Sequence, residues 1–259
     1  MSNAPRPYVL SEITWPPVFE YPVAVLPWGA TEAHNRHLPY GTDTMLVERA
    51  AHEAARLAWE RGARPLVLPS IAFGVQTGQA DIPFCLNMNP STQACVIADL
   101  VASLEPHGVR SLVIVNGHGG NEFRSIVREL QPRTSVFLCV ANWWRAADAS
   151  IFAEPGDHAG ELETSVIMHL APGLARPLDQ AGPGKERRLK PAAFREGWAW
   201  APRRWSSATA DTGIGDPKHA TPEKGREFFR QAVRAVAGLL VELASTPPGE
   251  MYEPPHPPQ

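Results

Sequence analysis

Four side chains able to grip a divalent cation, Glu32, His34, His37 and Asp43, fall within residues 27–44. Carboxylates and imidazoles together make the mixed oxygen and nitrogen set that holds zinc, manganese or iron. If the backbone from Glu32 to His34 is extended, both side chains point the same way, because direction alternates with a period of two. A short apolar run at 23–26 precedes the cluster and a helix-like segment follows it, with Thr42 or Asp43 placed to cap that helix. The cluster therefore belongs in a loop after a strand, where open α/β sheets keep their active sites. Alone, the stretch would equally serve as a polar loop with a capping Asp and two surface histidines. Two distant segments tip the balance.

The first is Asn116-Gly-His-Gly-Gly-Asn121, which places His118 among three glycines at a strand end. A turn ahead of a helix needs one glycine; three imply positive φ or the close approach of another group. No Lys-Ser/Thr follows and the spacing does not fit a dinucleotide fingerprint, which argues against a phosphate loop. The second is residues 157–165, with His158, Glu161 and Glu163 at the start of a helix. Carboxylates there also suit the helix dipole, so one Glu would carry little weight. Two after a histidine carry more. They lie roughly 200° apart around a helix, so both face one site only if the first turn is irregular. Trp143 and Trp144 end a strand at the same sheet edge, and one of them could line a pocket for a flat or cyclic substrate. A Gly-x-Ser-x-Gly motif is absent and Cys85, Cys95 and Cys139 lack a catalytic context, against a nucleophilic serine or cysteine.

These segments need a scaffold, and the rest of the chain supplies one. The 259 residues are 44% hydrophobic and 20% charged, an ordinary globular balance. A net charge of −3 gives no general affinity for nucleic acid or anionic membrane. No run is long enough to span a bilayer, the first residues lack the apolar core of a signal peptide, and three widely spaced cysteines fit reduced thiols; a cytoplasmic location is expected. Strands are expected at 23–26, 65–71, 112–115 and 136–140. Helices are expected over 43–61, from Ser91 or Thr92 to 107, from 122 to 130, over 160–170, and from a Thr221 cap to about 244. Strand and helix alternate, which predicts a mostly parallel sheet covered on both faces in a single domain. Residues 173–220 have no clear period; they form a long excursion with a basic patch (Lys185, Arg187, Arg188, Lys190), read as solvated surface, and with Trp198, Trp200 and Trp205. The 27 prolines gather at segment ends and in a tail at about 247–259.

With these blocks in order, the chain resembles the creatininase (creatinine amidohydrolase) family. Residues 29–43, 116–121 and 158–165 carry the resemblance, and residues 215–225 carry it more weakly. It implies a three-layer α/β/α sandwich, a two-metal hydrolase site and a homo-oligomer, in creatininase a hexamer. By position, Glu32, Asp43 and His118 would hold one metal, and His34 with a bridging Asp43 the second; zinc leads, with manganese or iron as alternatives. His158 and Glu163 match the residues that handle protons, and Trp143 or Trp144 matches a substrate-covering tryptophan. Creatininase has a metal-binding Glu where this chain has Gly120. Glu161 is taken as its replacement, with Glu163 the second choice.

Gln79, Asp81 and Gly119 are expected to line the substrate, and His37, Asn116 and Asp157 to orient ligands. The loop from Thr77 differs from the creatininase substrate loop, which puts creatinine itself in doubt. Relatives of this pattern include deformylases of pyrimidine intermediates, a peptidase of a peptide-derived cofactor pathway and a hydrolase of cyclic inositol diketones. The expected activity is metal-assisted cleavage of a C–N bond in a small cyclic amide, with His158, oriented by Glu163, passing the proton. C–C cleavage of a cyclic ketone is the alternative, and a non-catalytic metal or small-molecule binding module is the rival from another class.

Overall fold

The computed structural model describes residues 4–254. Four strands, β1 (Val23–Trp28), β2 (Pro65–Val67), β3 (Ser111–Asn116) and β4 (Phe137–Asn142), form one sheet in the order β2-β1-β3-β4. All three pairings are parallel, and β1 and β3 match along their whole length, from Val23 opposite Ser111 to Trp28 opposite Asn116. Both central strands are buried throughout. That burial is why they read as unbroken apolar runs without alternation. Around them lie α1 (Thr42–Glu60), α2 (Pro90–Leu104), α3 (Phe123–Leu130), α4 (Glu161–Leu170), two one-turn helices α5 (Ala192–Arg195) and α6 (Trp205–Ala208), and α7 (Pro222–Ser245).

Side-chain alternation splits the core into two layers. Val23, Val25, Val113 and Val115 pack with residues of α1, α4 and α7, among them Leu46, Ala50, Ile167, Phe228 and Leu240. Ala24, Leu26, Trp28, Leu112 and Ile114 pack against Ile97 of α2 and Phe123, Ile126 and Leu130 of α3. This is the three-layer α/β/α sandwich expected. No described helix is long and apolar enough to cross a membrane.

Several boundaries differ from expectation, each for a local reason. Strand β2 stops at Val67 because Pro69 has no amide to donate, and pairing resumes only as a single bridge between Trp28 and Ile71. Neither Thr42 nor Asp43 caps α1; Gly41 stands at the cap, and the Thr42 hydroxyl donates to Pro39 O at 2.7 Å. Helix α2 opens at Pro90, whose fixed φ and missing amide suit a first helical position. Thr221 caps α7 as expected, its hydroxyl accepting from Lys224 N at 3.3 Å.

The strand order creates the site. From β1 the chain crosses to β2 on one side, while β3 lies on the other. A crevice therefore opens between the carboxyl ends of β1 and β3, at the point where the winding reverses. Residues 173–220 run back over these ends as loops and short turns with α5 and α6. Asn35 anchors this excursion: its side chain donates to Gly182 O at 3.0 Å and accepts from Gly182 N at 2.8 Å. At the C-terminus a single turn, Pro248–Glu250, begins the Pro-rich tail, whose last five residues lie outside the described residues.

Helices α4 and α7 meet backbone to backbone at Gly225, where a Cβ would collide with Ser165 O. Gly225→Ala is expected to force α7 outward and lower stability by about 1–3 kcal/mol, read as a lower midpoint in urea denaturation.

Candidate metal centre

Three loops converge in the crevice. The loop after β1 brings Glu32 and His34, the first turn of α1 brings Asp43, and the loop after β3 brings His118; the start of α4 adds His158 and Glu163. All but Glu163 are buried. His34 Nε2 lies 3.1 Å from Asp43 Oδ1, while His118 Nδ1 lies 3.0 Å from Asp43 Oδ2 and 2.9 Å from Glu32 Oε1. Asp43 thus offers one oxygen to each side of the basin. Two compact groups result, Glu32, Asp43 and His118, and His34, Asp43 and Glu163; a third joins Glu32, His34 and His158.

The histidines are locked from behind. His34 Nδ1 sits 3.0 Å from Glu32 O, His118 Nε2 3.1 Å from Val75 O, and His158 Nε2 2.7 Å from Ala33 O. A carbonyl can only accept, so each of these ring nitrogens carries the proton. The opposite nitrogen of each ring then turns its lone pair on the carboxylates. In this tautomer lone pairs and carboxylate oxygens face one another with nothing between them to donate. Glu32 Oε1 and Asp43 Oδ2 are accordingly buried without a hydrogen-bond partner. Buried oxygens of this kind are costly unless a proton or a cation serves them, so the donor set fits a divalent ion.

Without a cation, protons take that role. Burial alone would lower the His34 pKa, but Asp43 reverses this and holds it at about 10. Burial likewise works against protonated His118, and the Glu32 and Asp43 charges drive its pKa well above the ordinary value. Burial would raise Asp43; the two imidazoles instead hold it below the carboxylate range. Desolvation at the cleft floor, opposed by His34, leaves Glu163 raised. A cation held by these rings would have to displace their protons.

A two-armed cleft leads to the basin. The larger arm, about 640 Å³, runs past Gln76, Gln79, Trp200, Arg203 and Trp205. The smaller, about 320 Å³, runs past Asn142, Trp144, Arg145 and Arg124. Gly119, Glu122, Asp157, His158 and Glu163 line both, so the basin stands at their junction. The Trp205 ring meets His158 edge-on, with centroids 5.3 Å apart, and the Arg203 guanidinium lies over Trp205 at 4.5 Å.

The expected residues fall into place unevenly. Glu32, His34, Asp43 and His118 come together. Glu161 does not join them. Its carboxylate is buried in an ion pair with Lys224 of α7 and accepts from Glu154 N at 3.0 Å, while Glu163 faces the basin, 3.9 Å from His34 Nε2. The first turn of α4 is regular, so the two glutamates diverge as helical geometry requires. No hydrogen bond joins Glu163 to His158; Glu163 Oε2 accepts from Ala159 N at 2.6 Å, and Ala33 O orients His158 instead.

Gln79 lines the larger arm and also donates to Glu32 Oε2. Asp81 is turned away, bonded to Arg204 and Ser206. Gly119 is open, with nothing within 4 Å of a would-be Cβ. Both tryptophans border the smaller arm: Trp143 is buried against Phe228 and Phe229, and Trp144 is half-buried. Asn116 fixes the His118 backbone, accepting from His118 N and donating to His118 O. His37 holds Thr164 at 2.8 Å and touches no ligand; burial and the His34 charge push it down to about 4. Asp157 is exposed and paired with Arg203, so it orients no ligand.

Close approach explains the glycines after β3. None of Gly117, Gly119 and Gly120 has positive φ, but a Cβ on Gly117 would lie 2.7 Å from Val47 Cβ, and one on Gly120 would strike the His118 ring. Sequence reasoning missed Gln76, whose amide lies 3.1 Å from His118 Nε2, and the three carbonyls that set the tautomers. Carbonyls leave no signal in a sequence. Trp205 was visible only as one of several tryptophans in the excursion.

The architecture and the basin define an α/β protein with a His/Glu/Asp cluster that could hold a cation at the switch point of a parallel sheet. Comparison with known proteins makes this specific. The family model described as creatinine amidohydrolase matches residues 11–240; the chain belongs to the creatininase family and is a hydrolase of that family. It is 29% identical over 246 residues to the mycofactocin precursor peptide peptidase of Mycobacterium ulcerans (strain Agy99), covering 91% of this chain and 89% of that protein. It is 24% identical to the creatinine amidohydrolase of Pseudomonas putida, over 85% of this chain and 89% of that one. Among solved structures, a Bacteroides fragilis NCTC 9343 protein provisionally described as a creatinine amidohydrolase superposes with a TM-score of 0.89 at 41% identity, covering 98% of this chain and 100% of that one. A creatininase structure described as the Mn form matches in fold with a TM-score of 0.76 at 22% identity, over 92% and 99% of the two chains.

Glu161→Gln is expected to leave bound cation unchanged by elemental analysis, whereas Glu163→Gln lowers it; the reverse result would restore Glu161 to the centre. Lys224→Met, which strands a buried carboxylate, should cost up to about 3 kcal/mol of stability without changing cation content.

Proposed function

We propose that this chain is a metal-dependent amidohydrolase that splits a C–N bond by adding water, giving a carboxylic acid and an amine. The observation that carries the proposal is the division of the Asp43 carboxylate, Oδ1 toward His34 and Oδ2 toward His118. That arrangement suits two cations, one held by Glu32, Asp43 and His118 and the other by His34, Asp43 and Glu163. When bound, such cations polarise a carbonyl and make water acidic enough to attack near neutral pH. Zinc leads and manganese or iron are alternatives for this donor set; among the structural neighbours, creatininases are described as Mn and Zn-Zn forms.

The chain's own residues do the rest. His158 is fixed through Nε2, and its bare Nδ1 would take a proton from the attacking water and pass it to the departing nitrogen at the junction of the two arms. Trp205 and the excursion behind it exclude water from His158. Gln79 and the carbonyls of Glu32, Ala33 and Val75 hold the side chains in the one orientation that works. Arms on both sides of the basin favour an amide that extends beyond the scissile bond over the compact ring expected from sequence, and the peptidase name of several relatives supports this. The exposed Trp198 and Trp200 support a homo-oligomer that would cover them.

The purified protein is expected to hydrolyse members of a panel of peptides, acyl amides and lactams, to lose that activity to a chelator, and to regain it with zinc or manganese. His158→Ala should lower kcat by about 10²–10⁴-fold with cation content unchanged. A cation-loaded protein that turns over nothing in the panel would leave a binding module on this fold as the better reading.

A further inference from the structure

The smaller arm of the cleft contains two arginines with no assigned partner. Arg145 follows Trp144 in the turn Trp143–Arg145 that ends β4, and Arg124 stands in the first turn of α3; both are exposed and line the same cavity. Neither side chain makes a hydrogen bond or ion pair with any described residue. Other arginines around the centre are engaged. Arg203 holds Asp157 at 2.6 Å and Glu186 at 3.3 Å, and Arg204 holds Asp81 at 3.1 Å. Helix stability does not explain Arg124, because a cation in a first turn opposes the helix dipole.

The carboxylates that share this cavity are mostly committed. Asp157 belongs to Arg203, and Glu163 accepts from Ala159 N and faces His34. Glu122 is the one carboxylate at the rim without such a tie, and the two partnerless arginines outnumber it. Trp144 contributes a half-buried ring, and Asn142 gives its amide oxygen to Asn116, which leaves the amide nitrogen to donate. At about 320 Å³ the cavity has the size of a small-molecule site, and it opens directly onto His158 and Glu163.

We infer that the smaller arm is a carboxylate subsite: Arg145 and Arg124 grip a free carboxylate on the substrate, beside the bond that is cut. The inference rests on the amidohydrolase reading above for the scissile bond, and on the cavity alone for the anion. It makes the substrate an amide that ends in an acid, such as the C-terminal residue of a peptide, and excludes a neutral ring as the preferred ligand. Guanidinium groups suit this task because they meet a carboxylate with paired donors and never lose their charge.

The test uses the cation-loaded full chain and two probes, N-acetylphenylalanine and its carboxamide, measured by calorimetry, with matched dipeptides and dipeptide amides followed for turnover. The wild-type protein is expected to bind the acid about ten-fold or more tightly than the amide, since a charged hydrogen bond is worth that much. The Arg124→Gln/Arg145→Gln double variant should lose the difference with its cation content intact. Equal binding of acid and amide by the wild type, binding of neither, or a preference that survives in the double variant (an acid held by the cations instead) would each overturn the subsite. If neither the dipeptides nor any other member of the amide panel is turned over but the arginine-dependent preference persists, the hydrolase reading fails and the subsite stands.

Discussion

Asp43 is a carboxylate almost wholly removed from water, placed in the first turn of α1 and set between two imidazoles. A charge so placed costs several kcal/mol unless something answers it. The unpaired amides of the helix start supply part of the answer, and His34 and His118 supply more. Those rings can do so only because backbone carbonyls hold their far nitrogens. Every other feature of the basin follows from that constraint. The loops after β1 and β3 must lie close enough to bring the rings to opposite oxygens, and Gly117 lets one loop pass against Val47 and the α1 backbone.

The strain of this arrangement sits beside the functional residues, while the stabilising burial lies elsewhere. Asn35, next to His34, and Ala159, next to His158, both adopt left-handed backbone with φ of 54° and 51°. Such conformations disfavour residues other than glycine and persist only where the surroundings enforce them. Asn35 is clamped to Gly182, and the Ala159 amide is held by Glu163. The two apolar layers that flank the sheet provide the burial against which these positions are held.

The excursion over residues 173–220 completes the cleft. It contributes no ligand to the basin, yet it carries Trp205 against His158 and ties Arg203 to Asp157 and Arg204 to Asp81. One wall of the cleft is thus built from a segment without regular period, while the smaller arm is walled by the end of β4 and the start of α3. Substrate choice can change in such a segment while the centre stays the same.

The layered fold and most of the centre could be read from residue order, because both rest on local rules. Runs such as 23–26 and 112–115 are apolar on both faces, which only a covered parallel sheet tolerates, and Glu32, His34, Asp43 and His118 sit next to strand ends where such sheets place their chemistry. The choice between Glu161 and Glu163 was not legible. Helical spacing showed that they diverge, but which one meets the basin depended on Lys224, some sixty residues further along, drawing Glu161 toward α7. The same holds for Trp143, claimed by Phe228 and Phe229, and for Asp81 and Asp157, claimed by arginines of the excursion. Local pattern dictates where a side chain starts, whereas its partner, and hence its role, is decided by packing between segments that only the folded chain brings together.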